Sequence, residues 1–155
     1  ANHTYLIKLV EAAIAETGLP ICLHLDHGDS FELCKSCVDG GFTSVMIDAS
    51  EEPYEENIAT SARAREMAGP DIAVEAELGS IGGKEDEVGQ DEASGTNPAQ
   101  VADFVSRTGC DMLAVSVGNV HGYAPDARID FDLLRQVQEQ SAVPLVIHGG
   151  SGLPA

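Results

Sequence analysis

The sequence predicts an α/β fold built on a parallel sheet. Short apolar runs alternate with amphipathic helical stretches along all 155 residues, the order expected of repeated βα units. The runs show little strict apolar–polar alternation, as expected of strands covered on both faces. A glycine or proline breaker marks each return from helix to strand: Gly18-Leu19-Pro20, Gly40-Gly41, Gly69-Pro70, Gly109 and Val143-Pro144.

Taken in order, a helix is expected over 4–16, ended by Gly18 and Pro20. The first strand is expected over 21–25 and a helix over 30–38. A strand at 43–47 and a helix at 55–67 follow, then a strand at 72–76. The segment 79–97 is acidic, glycine-rich and poor in apolar residues, so it reads as a mobile loop within the domain. A helix at 98–107, a strand at 112–117, a helix at 131–139 and a strand at 144–147 complete the series.

Composition narrows the function. Eight Lys and Arg against 26 Asp and Glu give a formal charge of −18, with 43% hydrophobic and 5% aromatic residues. That suits a packed, soluble domain rather than a disordered one. So negative a chain repels a phosphate backbone or an anionic bilayer, so neither nucleic acid nor membrane is expected as a partner. No apolar run approaches the ~18 residues of a membrane span. The same charge requires strong local positive potential at any site for a phosphorylated substrate. Of Cys22, Cys34, Cys37 and Cys110, only Cys34 and Cys37 are closely spaced, on one helical face. With no second such pair, reduced structural thiols in a cytosolic protein are the favoured reading, and a redox or metal role the alternative.

Polar residues gather at the carboxyl ends of the strands, which share one rim in a parallel sheet or barrel. They are Asp26-His27-Gly28-Asp29, Asp48, Glu75-Ala76-Glu77, Asn119-Val120-His121-Gly122 and His148-Gly149-Gly150-Ser151-Gly152. Three histidines end strands, each followed by glycine: His27, His121 and His148. Three imidazoles on one rim with an open fourth position form the pattern of a catalytic zinc site. Asp26 is either a helix-capping or supporting carboxylate or a general acid/base beside the metal. The turn after His148 is either a backbone nest for phosphate or a plain loop. His24 reads as a satisfied core residue, and His3 is given no role. Lys8, Lys35 and Lys84 are the only lysines, and none ends an apolar strand. Carbonyl chemistry here would therefore use a metal rather than a Schiff base.

At these residues the sequence resembles the class II, zinc-dependent fructose-bisphosphate aldolases. The resemblance runs through essentially the whole chain. It rests on Leu23-His24-Leu25-Asp26-His27-Gly28, Glu75-Ala76-Glu77-Leu78-Gly79 with Gly82-Gly83, Asn119-Val120-His121-Gly122 and His148-Gly149-Gly150-Ser151-Gly152. It implies a TIM (β/α)8 barrel, of which about five βα units are visible. Residues 1–155 would then be a single barrel domain, incomplete at both ends, within a longer enzyme. Five strands cannot close such a barrel, so the opening helix should lack part of its cover and the isolated segment should be inactive.

The resemblance also implies roles. His27, His121 and His148 correspond to ligands of one catalytic Zn2+, Glu77 to a carboxylate at an alternative metal position, and Asp48 to a supporting carboxylate. Asp26 corresponds to the acid/base at the C4 hydroxyl and Glu85 to the base at C3. Gly122, Gly149 and Ser151 correspond to phosphate-binding groups. Val120, Gly122 and Gly149 correspond to a monovalent-cation site for K+ or Na+. The implied reaction is aldol cleavage of fructose 1,6-bisphosphate to dihydroxyacetone phosphate and glyceraldehyde 3-phosphate through a metal-stabilised enediolate. It belongs to glycolysis and gluconeogenesis, in a cytoplasmic homo-oligomer (dimer or tetramer). Tagatose-bisphosphate aldolases carry the same motifs. Where many members have Tyr-Lys after the second His-Gly, this chain has Tyr123-Ala124. A metal-dependent hydrolase on the same rim and a non-catalytic fragment are the rival readings.

Overall fold

The computed structural model of the chain describes residues 3–85, 88–90, 94–122, 124 and 126–150. Its frame is a parallel sheet with helices between strands. The elements are α1 (Thr4–Thr17), β1 (His24–Gly28), α2 (Phe31–Gly40), β2 (Ser44–Ile47), α3 (Tyr54–Ala68) and β3 (Ala73–Leu78). A hairpin of β4 (Gly82–Glu85) and β5 (Val88–Gln90) follows. Then come α4 (Pro98–Thr108), β6 (Met112–Val115), β7 (Val120–His121), α5 (Phe131–Gln140) and β8 (Leu145–Val146).

The main sheet runs β1-β2-β3-β6-β8, and all of its pairs are parallel. Each strand is added on the same side of the last. With right-handed crossovers, this order puts the connecting helices on one face. Alternation within the strands then divides the two faces. Val45, Ile47, Val74, Ala76, Leu78, Leu113 and Val115 belong to the helix-side core with Cys34, Phe42, Ile58, Val101, Phe104 and Val137. The intervening positions hold Ser44, Met46, Glu75, Glu77 and Ala114, and these too are buried. The strands look continuously apolar because the few polar residues are confined to this inner face.

The helices end as their breakers dictate. Gly18 and Gly109 take left-handed backbone and donate to Ile14 O and Val105 O. Ser30, Asn97 and Asp130 cap the following helices with side-chain oxygens. Asp26 caps no helix. The opening helix is the exception in packing: Tyr5, Leu6 and Leu9 are 82%, 55% and 67% exposed, and none of its residues is buried.

Two expectations need correction. The first strand lies at His24–Gly28 rather than 21–25. Ladder pairing with β2 fixes it, through His24↔Ser44 and Leu25↔Val45, and Ile21 is 37% exposed outside the sheet. The described residues of segment 79–97 are more regular than a loop. They contain an antiparallel hairpin whose β4 pairs in parallel with β7 through Gly82↔Val120 and Gly83↔His121. At its base, Ser80 and Ser94 bond each other, and Thr96 bridges Leu78 O and Ser116 N at 2.6 and 2.8 Å.

Candidate active site

The site begins with an irregularity in β1. Between Leu25 and Gly28 the register with β2 shifts, and His27 takes φ 43, left-handed backbone in a residue with a Cβ. A regular strand sends adjacent side chains to opposite faces, whereas a bulge re-aims one of them. Here Asp26 and His27 both address the rim: Asp26 Oδ1 is 3.9 Å from His27 Nε2 and 3.4 Å from His148 Nδ1.

The three strand-end histidines come together from β1, β7 and the end of β8. The His27 ring centroid lies 4.6 Å from that of His121 and 4.4 Å from that of His148, and His121 and His148 are 6.2 Å apart. His121 is not at the end of a main-sheet strand, as expected, but in β7 beside the hairpin. A cavity of about 560 Å3 opens here, lined by Asp26, His27, Asp48, Glu77, Ile81 and His121 among others.

Carboxylates orient the rings. With Nδ1 protonated, His27 donates to Asp48 Oδ2 at 2.8 Å, and the Ser50 hydroxyl donates to Asp48 Oδ1 at 2.7 Å. Burial alone would raise the Asp48 carboxyl, but these hydrogen bonds hold it below its ordinary value. Glu77 is almost fully buried, 3.8 Å from His27 Nδ1. Burial first, then the negative charge of Asp48, pushes its carboxyl up to about 9. His148 Nε2 lies 2.7 Å from Glu75 Oε1. Burial works against its charged form, but the bond to Glu75 and the charges of Glu75, Asp26 and Asp48 raise its basicity above the ordinary histidine value.

A divalent cation fits this arrangement. His27 Nε2 and Glu77 Oε2 are buried with no hydrogen-bond partner among the described residues. A buried polar atom left so is costly unless something else satisfies it. Donor atoms of Asp26, His27 and His148 lie within 4.8 Å of one another, as do those of His27, Asp48 and Glu77.

The remaining expected residues fall as follows. Gly149 has φ 67, and a Cβ there would collide with the Val120 carbonyl and sit 2.9 Å from His121 N, so the two segments meet backbone to backbone. Gly122 follows His121 directly. Glu85 ends β4, where its backbone pairs with Val88. Ser151 lies outside the described residues. His24 has polar partners, as expected: its Nδ1 lies 2.8 Å from Ser44 Oγ. All four cysteines are free thiols, and Cys34 and Cys37 are buried.

Two residues gained no role from sequence reasoning. Glu75 shares a strand face with Glu77, and this spacing of two was the available signal. Asn119 is fully buried; its amide nitrogen donates to Val115 O and His148 O, and its oxygen accepts from Val117 N. It ties the His121 loop to the backbone at His148.

Comparison with known proteins gives the family. The family model for "Fructose-bisphosphate aldolase class-II" matches residues 1–155. A fructose-bisphosphate aldolase of Staphylococcus aureus is 43% identical over 153 residues, covering 96% of this chain and 54% of the relative. The crystal structure of the YdjI aldolase from Escherichia coli K12 superposes with a TM-score of 0.83 at 35% identity, covering 99% of this chain and 54% of that one. A fructose-bisphosphate aldolase structure from Campylobacter jejuni gives a TM-score of 0.74 at 28% identity, over 95% of this chain and 49% of that one. The chain thus spans about half the length of the relatives it matches. It belongs to the class II fructose-bisphosphate aldolase family.

Proposed function

We propose that this chain carries the metal-binding and proton-transfer part of an active site for reversible aldol cleavage of a ketose bisphosphate. Fructose 1,6-bisphosphate would give dihydroxyacetone phosphate and glyceraldehyde 3-phosphate. The observation that carries the reading is the meeting of three imidazoles from separate elements beside Asp26, around buried His27 Nε2 and Glu77 Oε2 that make no hydrogen bond among the described residues.

His27, His121 and His148 would hold the cation, with Glu77 as an alternative ligand and Asp48 supporting His27. A histidine-rich set with an open position suits zinc. When bound, such an ion supplies a Lewis acid for the ketone carbonyl and for the charge left on it as the C3–C4 bond breaks. Asp26, 68% exposed beside His27 and His148, takes the C4 hydroxyl proton in cleavage and returns it in condensation. Glu85, two residues beyond the Gly83↔His121 pair, delivers the proton to C3 in cleavage and removes it in condensation.

Backbone N–H groups at Gly122 and Gly149 and the Ser151 hydroxyl are assigned to a substrate phosphate. Backbone oxygens at Val120, Gly122 and Gly149 are assigned to K+ or Na+. The contact of Gly149 with Val120 supports a shared locus. Such local groups outweigh a net charge of −18 spread over the surface and screened within ~8–10 Å. The assigned unit is a single barrel domain within a cytoplasmic homo-oligomer. No described helix is long and apolar enough to cross a membrane. Tagatose bisphosphate differs at C4, where Asp26 acts, so the same residues serve either sugar.

The test is metal content and cleavage of each bisphosphate by the full-length protein. His27→Ala, His121→Ala and His148→Ala should each lose metal and cleavage together. Full metal occupancy with hydrolysis but no aldol cleavage would replace this reading with a metal-dependent hydrolase. Neither metal nor turnover in the wild type would leave a non-catalytic protein.

A further inference from the structure

Glu75 is a charged residue in the middle of the central strand, paired on one side with Met46 and on the other with Met112. Its side chain is 4% exposed. A carboxylate in such a place needs donors, and it meets two imidazoles. Oε1 lies 2.7 Å from His148 Nε2, and Oε2 lies 3.9 Å from His24 Nε2. His24 is itself fixed by Ser44 Oγ, 2.8 Å from its Nδ1. His24 thus borders Glu75 from β1 beyond hydrogen-bond range, and the short contact of the Glu75 carboxylate is the one to His148.

We propose that Glu75 is a positioning residue that selects which nitrogen of His148 faces the site. An imidazole whose Nε2–H donates to Glu75 keeps its Nδ1 for the rim, where Nδ1 lies 3.4 Å from Asp26 Oδ1. His27 is set the opposite way: Asp48 takes Nδ1, and Nε2 is left for the site. The two rings sit 4.4 Å apart and present different nitrogens, each chosen by its own carboxylate. Glu75 orients His148 from β3, whereas Asp48 orients His27 from just beyond β2. This inference rests on the reading that these histidines hold a divalent cation.

Glu75→Gln keeps an acceptor oxygen for His148 Nε2, whereas Glu75→Met keeps the volume and removes the acceptor. The full-length protein, stripped of metal, is titrated with Zn2+ and with Co2+, whose visible absorption reports its ligand set. Glu75→Met should bind both ions ~10–100-fold more weakly, the range for lost supporting carboxylates. Its Co2+ band should shift, and at saturating Zn2+ kcat should fall with little change in KM. Glu75→Gln should stay within a few-fold of wild type with an unchanged band. Wild-type affinity and spectrum in Glu75→Met would overturn the proposal. So would a Glu75→Gln that binds as weakly as Glu75→Met while melting like wild type, because charge rather than ring orientation would then matter. Wild-type protein that binds no Co2+ or Zn2+ defeats the metal reading and this inference together, whereas the first two outcomes defeat this inference alone.

Discussion

Replacing Gly83 by alanine tests whether the acidic hairpin must stay joined to the strand that bears His121. Gly83 has φ 87, and a Cβ there would press into the His121 carbonyl oxygen while lying 2.7 Å from Val120 Cγ1 and 3.1 Å from His121 N. All three obstacles belong to β7, so the strain is relieved only by moving β4 away. The left-handed backbone alone costs alanine ~1–2 kcal/mol. The clash with β7 backbone adds to that cost, whereas the two-pair ladder holds the joined state with only ~0.5–1.5 kcal/mol per hydrogen bond. A strain of about 2 kcal/mol against the joined state is roughly a thirtyfold shift in that equilibrium. Because Glu85 is two residues further along β4, turnover should drop at least tenfold, whereas metal content should stay near wild type. The assay is kcat on zinc-loaded protein, with hydrogen exchange at 82–85 reporting the ladder. Unchanged kcat with unchanged amide protection would refute the reasoning, since the hairpin would then tolerate a Cβ where the packing denies one.

Asp26→Asn should keep zinc and melting temperature but lose ~10²–10⁴-fold in kcat, the usual range for a positioned proton-transfer group; loss of metal measured in that variant would instead make Asp26 a supporting carboxylate. Cys22 should react with iodoacetamide in the native protein at pH 8, whereas Cys34, whose thiol burial pushes up to about 12, should react only on unfolding. The folded state holds the Cys34 proton more tightly than the unfolded chain, so its contribution to stability is complete below about pH 9 and is lost as pH rises towards 12. Urea midpoints followed between pH 8 and 11 should therefore fall less in Cys34→Ala than in wild type.

Much of the frame is legible in the sequence because burial and parallel pairing both select apolar residues. Val74, Leu113 and Val115 mark their strands, and Gly18 and Gly109 mark helix ends, by local chemistry alone. What pairing alone decides is not legible. Ile21 and Cys22 look like the start of a strand, yet the ladder begins at His24, since backbone bonds to Ser44 and Val45 set that limit. The hairpin and the two-residue β7 are held by main-chain bonds among glycines, which leave no apolar period to find. The histidines are legible as a set because each ends a unit with glycine. Glu75 is harder to see, because a charge inside a strand acquires meaning only when β8 brings His148 across from 73 residues away.

The strand order β1-β2-β3-β6-β8 has a kinetic consequence. Every sheet neighbour is also the next main-sheet strand along the chain, and the hairpin leaves for the second sheet without interrupting the series. The sheet can therefore grow as the ribosome delivers it, each βα unit docking on the one before, with little loop closure to wait for. His27 emerges with β1, but His148 arrives only after β8. The three rings meet only when β8 docks, so under the proposed metal reading tight loading would close this assembly rather than seed it.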